Sequence, residues 1–175
     1  MLLTGSLGLA LAGCSTDDGT AYQSDYTTHQ PLRVVGYPST GSLDVVQKAV
    51  WRLADGDAAG LAALAAQGGR ADVTARNWVR AFGVAARSEV TADFYDEGST
   101  RQVVVLYFAG SDTERKPAKQ AEQIKEIEVR LDGDRWCITL DEPTRSEAAA
   151  KPSWAPAEPG GSGSRTVEER RSASG

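Results

Sequence analysis

The sequence predicts an α+β domain over residues 40–141, with three helices followed by four antiparallel strands. The first observation is a helical spacing of apolar residues that continues up to Phe82. The second is a change to alternation at every second residue, which begins at Val90. The third is the position of Gly56 and Gly83 directly after apolar stretches, where glycine commonly ends a helix. These features place the helices before the sheet in one small domain.

The three helices are predicted from their capping residues as well as from their spacing. Ser42 is the expected N-cap of the first helix, which ends at Gly56. Asp57 is expected to cap a second, alanine-rich helix, and Asp72 a third helix that runs to Phe82. The apolar residues of the first helix that share one face are Leu43, Val46, Val50 and Leu53.

The four strands are predicted from alternation and from one turn. Residues 90–94 alternate between apolar and polar, whereas residues 103–108 are apolar on both faces, which is typical of a central strand. A third strand is expected over residues 127–131 and a fourth over residues 136–140. Between these two, Asp132-Gly133-Asp134 predicts a tight turn.

The segments that flank this domain have a different composition. Residues 15–39 are rich in Ser, Thr, Asp and Gly and show no period, so they are interpreted as a flexible tether. Its outer part, residues 32–37, carries apolar side chains that could pack onto the domain. Residues 142–175 are rich in Ala, Pro, Glu, Gly and Ser, and they are predicted to be disordered.

Composition argues against several classes of function. The net charge of −5 argues against nucleic-acid binding, which usually requires a basic face. The single histidine, His29, lies in the tether, so the core has no imidazole base for a Ser-His-Asp or Cys-His mechanism and no histidine for a metal site. Cys137 is the one cysteine of the domain and cannot form a disulfide within it. No metal or cofactor is expected.

The N-terminus contains an export signal. Residues 2–12 form an apolar run that is shorter than the roughly 20 residues needed to span a bilayer, and it is typical of a signal peptide. The run ends in Leu11-Ala12-Gly13-Cys14, which resembles the lipobox of bacterial lipoproteins. That resemblance implies a signal peptide and lipidation site over residues 1–14. It also implies acyl chains such as palmitate on Cys14 and a place on the extracytoplasmic face of the cell membrane.

One feature departs from the usual signal peptide. No Lys or Arg precedes Arg33, although the start of such a signal normally carries positive charge. Either the α-amino group supplies that charge or the true start lies upstream. The alternative interpretation of the apolar run is an N-terminal helix that docks on the domain.

A second resemblance concerns the domain itself. Trp51-Arg52-Leu53-Ala54-Asp55-Gly56-Asp57, followed by Leu61-Ala62-Ala63-Leu64, resembles the start of nuclear-transport-factor-2-like domains. That superfamily includes polyketide cyclases, ketosteroid isomerase and many bacterial lipoproteins. The resemblance implies a curved antiparallel sheet wrapped around the helices as a cone, whose open end binds apolar ligands or performs acid–base chemistry. The large aromatic residues that either line this cone or simply fill the core are Trp51, Trp78, Phe82, Tyr95, Tyr107 and Trp136.

Asp93 is the best candidate for a catalytic base. It lies in the middle of a strand between apolar residues, Tyr95 follows two residues later, and Tyr107 on the next strand could donate a hydrogen bond to a developing oxyanion. The alternative is a solvent-facing acid on the polar side of a half-buried strand. The residues of the superfamily's catalytic sites do not match this sequence by motif.

The leading functional hypothesis is a non-enzymatic lipoprotein, held to the membrane through Cys14. Its domain would bind a small apolar ligand or a protein of the cell envelope. The first alternative is an enzyme of the isomerase, cyclase or dehydratase type that uses Asp93 as general base. The second is a dimeric scaffold that associates through an exposed sheet face.

Overall fold

The computed structural model describes residues 27–66, 70–95, 98–109 and 121–148, together with two short strands at 154–155 and 165–166. Its main feature is a five-stranded mixed sheet in which the strands follow one another in chain order. The first two strands are parallel, and all other neighbours are antiparallel. The strands are β1 (Arg33–Gly36), β2 (Val90–Phe94), β3 (Arg101–Ala109), β4 (Ala121–Asp132) and β5 (Arg135–Ile138).

Helices pack on one face of this sheet. They are α1 (Thr40–Asp55), α2 (Ala58–Ala63), α3 (Ala71–Phe82) and α4 (Arg145–Ala148), with a 3₁₀ turn at Ala85–Arg87. A separate two-stranded ladder pairs β6 (Trp154–Ala155) with β7 (Arg165–Thr166). The predicted α+β class is confirmed, and the three predicted helices precede the four predicted strands, but a further strand, β1, comes before the helices and α4 comes after the sheet. Among the described residues, no helix combines the length and the apolar character needed to cross a bilayer.

The helix ends follow capping chemistry, although two predicted caps are wrong. The N-cap of α1 is Ser39, whose hydroxyl accepts a hydrogen bond from the Ser42 amide at 3.1 Å, so Ser42 lies inside the helix. Asp72 is also not a cap, because α3 already begins at Ala71. The predicted cap of α2 is confirmed, since the Asp57 carboxylate accepts from the Gly60 amide at 2.8 Å.

The fifth strand is the main difference from the predicted sheet. β1 lies in the predicted tether and pairs in parallel with β2, with Val35 opposite Asp93. Val35 is fully buried, and Gly36 has a φ of 81° in close contact with the Phe94 carbonyl, where a Cβ would collide. The domain therefore begins before residue 40. The sheet is mixed and open, with β1 and β5 at its edges.

The core lies between α1, α3 and the helix-facing side of the sheet. The predicted face of α1 is confirmed for Val46, Val50 and Leu53, which are buried, while Leu43 packs at the periphery. Cross-strand pairs complete the core from the sheet side. They are Ala92 with Leu106, Val104 with Ile127, and Val129 with Ile138.

Residues 141–148 form a C-terminal strap that docks against α3 and β4. The Trp78 indole N–H donates to the Asp141 carbonyl at 2.6 Å, and the Lys125 ammonium lies 2.9 Å from a Glu147 carboxylate oxygen. Thr144 and Glu147 form a reciprocal capping box that begins α4. The prediction of disorder from residue 142 onward is therefore wrong for residues 142–148. The strands β6 and β7 also lie within the segment predicted as disordered.

Candidate functional site

Three of the six predicted ligand-lining aromatic residues belong to the packed core. The Phe82 ring stacks on Phe108 with centroids 5.3 Å apart, and Trp78 contacts Phe82 edge-on at 5.9 Å. Trp78 and Phe82 are fully buried, and Trp136 packs against the same cluster. In the described part of the chain, these aromatic side chains occupy part of the space between the helices and the sheet.

The C-terminal strap closes this core at the α3 end. The Lys125 ammonium lies 5.3 Å from the centre of the Trp78 ring and pairs with Glu147 at a site where both side chains are largely buried. Burial alone would raise the pKa of Glu147, but hydrogen bonds from the Thr144 amide and from Lys125 outweigh it and lower the pKa. Hydrogen bonds from Asn77 and Thr74 lower the pKa of Glu142 in the same way.

Trp51 lies on the other side of α1, away from the core cluster. His29 stacks on its indole with ring centroids 5.4 Å apart and planes inclined by 24°. The Trp51 indole N–H donates to the Gln30 carbonyl at 3.2 Å. The chain before β1 is therefore held against α1 at its C-terminal half. The sequence placed His29 in a tether with no relation to the domain, and the structure brings it onto the domain surface.

A surface pocket opens where this segment meets the domain. It has a volume of about 570 Å³. The His29 imidazole forms one wall, with Nε2 at 2.9 Å from Asp55 Oδ1 and Nδ1 at 2.9 Å from the Thr28 hydroxyl. The Arg87 guanidinium forms another wall and is fixed by its Nε–H, which donates to the Ala54 carbonyl at 3.1 Å. The pocket is lined by Thr28, His29, Gln30, Trp51, Ala54, Asp55, Ala86 and Arg87.

The chemistry of this pocket favours recognition. An imidazole, a carboxylate and a guanidinium stand around an indole, so the pocket offers both signs of charge and an apolar surface. Both nitrogens of the His29 ring are within hydrogen-bond distance of neighbours, which fixes the orientation of the ring. His29, Asp55 and Arg87 could not be predicted as neighbours, because contacts between single residues far apart in the chain leave no periodic signal.

Asp93, Tyr95 and Tyr107 lie on the sheet face that points away from the helices. Asp93 stands between Val35 and Val105 in the ladder, and Tyr107 is opposite Thr91 on the same face. Asp93 is fully buried, so the alternative of a solvent-facing acid is wrong. Tyr107 is buried as well, whereas Tyr95 is 42% exposed. The three side chains therefore share a face, but they are separated by the sheet from Trp78, Phe82 and Trp136.

Cys137 is buried, and the described acidic residues do not gather into a metal site. Cys137 is fully buried on β5, where it alternates with Trp136 and Ile138, and this placement is typical of a small apolar core residue. Within the described ranges, no group of three or more His, Cys, Asp or Glu side chains could hold a metal ion.

Compared with protein-family models, curated proteins and solved structures, the chain matches none of them.

Proposed function

We propose that this protein is an extracytoplasmic lipoprotein that binds its target at the domain surface without catalysis. The anchor would be the acylated Cys14, and residues 15–26 would connect it to the folded part. The lipobox-like Leu11-Ala12-Gly13-Cys14, which follows a short apolar run, supports this proposal.

The observation that carries the binding part of the proposal is the position of the pocket relative to the core. The core between helices and sheet is occupied by Trp78, Phe82 and Phe108, whereas the pocket at His29 and Arg87 is open to solvent. A ligand with an apolar ring and a charged group, or such a side chain of an envelope protein, would match its walls. The pocket also lies where the residues that precede β1 meet the domain. A bound ligand would therefore lie next to the segment that leads to the proposed anchor.

The order of helices and strands along the chain supports a proposal about the fold family. We infer a distant relation to nuclear-transport-factor-2-like domains, because Gly56 and Asp57 connect α1 to a short helix, and the antiparallel strands β2 to β5 come after α1 to α3. A cone of that kind would use the face of the sheet that the helices cover.

The binding proposal can be tested by NMR of the four tryptophan indole N–H signals during a screen of charged aromatic fragments. Trp51 would be assigned through a Trp51→Phe variant. We expect fragments that bind to shift the Trp51 signal, because its indole lines the pocket. Arg87→Gln should weaken these shifts, and Arg130→Gln is the control, because Arg130 is exposed on β4. Fragments that shift the Trp78 and Trp136 signals instead would argue for a cavity inside the core.

An enzyme with Asp93 as general base is the second candidate, and one observation favours it. The Asp93 carboxyl is fully buried on the same sheet face as Tyr107, an environment in which carboxyl groups can act as bases near neutral pH. A carboxyl titration by ¹³C NMR, compared with Asp93→Asn for assignment, tests this. Titration near neutral pH would favour catalysis, and titration in the ordinary acidic range would argue against it.

The dimeric scaffold stays a prediction that sedimentation velocity can test.

A further inference from the structure

The exposed side of α3 carries a stripe of two arginines between two valines. The stripe consists of Val73, Arg76, Arg80 and Val84, spaced by three, four and four residues, so the side chains share one helix face. The helical backbone continues through Gly83 and Val84, which keeps Val84 in phase. Val73 is 49% exposed and Val84 is 75% exposed. The opposite side of α3 is buried in the core through Ala75, Trp78 and Phe82.

The charges of this stripe are not neutralised by neighbours. In the described ranges, neither Arg76 nor Arg80 forms an ion pair, and Arg80 only donates to the Asn77 side chain at 3.3 Å. The nearby acid Glu142 is already bound by Thr74 and Asn77. Asp72 stands at one end, in the first turn of the helix. Two exposed guanidiniums beside two exposed aliphatic side chains thus form a small amphipathic surface on a chain whose net charge is −5.

We propose that the α3 stripe docks on the anionic headgroups of the membrane that carries the anchor. This inference rests on the proposed lipid anchor, which would hold the domain within reach of that surface. Arginine and exposed aliphatic residues together suit the headgroup region, where the guanidinium contacts phosphate and the methyl groups reach the acyl boundary. The stripe would orient the domain, and this role is separate from ligand binding in the pocket.

The path of the chain supports this orientation. The residues that precede β1 line the surface pocket together with Ala86 and Arg87, which lie two and three residues after the end of the stripe at Val84. Twelve residues lie between Cys14 and Thr27, so thirteen Cα–Cα steps connect the two positions. A segment of that length spans at most about 45 Å when fully extended. Anchoring through Cys14 would keep the α3 stripe at a high effective concentration relative to the membrane. A weak attraction between the stripe and the membrane surface is then sufficient for docking.

The test uses residues 15–175, which contain every described residue, tethered by an N-terminal oligohistidine tag to vesicles that contain a nickel-chelating lipid. An environment-sensitive fluorophore on Val84→Cys reports docking, since Cys137 is fully buried and does not compete for the label. The vesicles are phosphatidylcholine alone or phosphatidylcholine with phosphatidylglycerol. We expect a blue shift of the emission on the anionic vesicles only. The same label on Asp134→Cys, in the exposed turn between β4 and β5, should not respond.

The variant Arg76→Gln/Arg80→Gln separates the stripe from general charge effects. We expect it to lower the docked-to-undocked ratio roughly 25-fold, since each base near an anionic surface contributes about fivefold. The variant Arg130→Gln/Arg135→Gln changes the net charge equally and should retain the blue shift. Equal emission on both kinds of vesicle, or a shift that persists in Arg76→Gln/Arg80→Gln, would overturn the proposal. The nickel tether replaces the lipid on Cys14, so this outcome does not depend on whether Cys14 is acylated.

Discussion

The Nε2 atom of His29 lies 2.9 Å from Oδ1 of Asp55, and this contact joins the segment before β1 to the last turn of α1. Asp55 also faces Arg52, whose guanidinium lies 3.9 Å from its second carboxylate oxygen. With the stack of His29 on Trp51, these contacts build the wall of the surface pocket. They explain why the pocket lies where the tether reaches the domain.

Replacing His29 should loosen this attachment. We expect His29→Ala to lower the free energy of unfolding by roughly 1–2 kcal/mol, from the lost ring stack on Trp51 and the lost, partly exposed hydrogen bond with Asp55. Asp55→Asn should lower the free energy of unfolding by a smaller amount. A double-mutant cycle measured by urea unfolding should give a coupling of about 0.5 kcal/mol between His29 and Asp55. Asp44→Asn, which removes an exposed pair with Lys48, is the control and should not couple to His29. A coupling near zero for His29 and Asp55 would show that their contact is absent in solution.

The buried carboxamide of Gln102 should be important for stability. It is 1% exposed, accepts a hydrogen bond from the Ser42 hydroxyl and donates to the Tyr37 carbonyl at 3.3 Å, so it connects β3, α1 and the chain after β1. Gln102→Met keeps the volume but removes these two bonds and a third, which Gln102 accepts from the Ser39 amide at 3.4 Å, and it should destabilise the domain by about 1–3 kcal/mol. Urea unfolding measures this loss of stability. Ser42→Ala, alone and combined with Gln102→Met, completes a double-mutant cycle for this pair. A Gln102→Met domain as stable as the parent would contradict this assignment.

Gly41 should tolerate no larger residue. A Cβ at this position would collide with the indole of Trp136, close to the root of the ring, where the side chain has little freedom to move. Gly41→Ala should therefore cost about 1–3 kcal/mol through overpacking, despite the better helix propensity of alanine. Thermal unfolding checks the loss, and combining it with Trp136→Leu should recover part of it. Stabilisation by Gly41→Ala alone would mean that α1 does not pack on Trp136 in this way.

The C-terminal strap should respond to acid. The pKa of Glu147 is lowered in the folded protein from its usual value of 4.5, so its contribution to stability is present above that value. This contribution should be lost as pH falls below 4.5 and through the lower folded pKa. We expect the peptide 141–148 to gain hydrogen exchange over this range, and Glu147→Gln to show fast exchange already at neutral pH. Hydrogen exchange in this peptide that changes neither with pH nor in Glu147→Gln would contradict the role of the ion pair between Lys125 and Glu147.

Much of the fold could be predicted, because its signals are local. Gly56 and Asp57 delimit α1 and α2 by capping chemistry, which acts within a few residues. The alternation in β2 and the turn at Gly133 likewise depend on neighbouring residues alone. β1 escaped prediction because its four residues are too few to show a period, and its parallel pairing with β2 links residues far apart in sequence.

The candidate site could not be predicted for the same physical reason. His29 and Asp55 are 26 residues apart, and nothing in either local sequence requires their contact. The strap offered one local signal, the capping box from Thr144 to Glu147, but its docking depends on Lys125 in a distant strand. The burial of Asp93 arises because β2 is covered on both faces, which an alternating pattern does not indicate.

Mass spectrometry of the protein extracted from membranes tests whether Cys14 is the lipid anchor. We expect the N-terminal peptide to begin at Cys14, to lack residues 1–13, and to carry a diacylglyceryl group together with an acylated amino group. In the variant Cys14→Ser this modification should disappear, and the protein should leave the membrane fraction. A peptide from the membrane fraction in which residues 1–13 are still joined to an unmodified Cys14 would contradict the account.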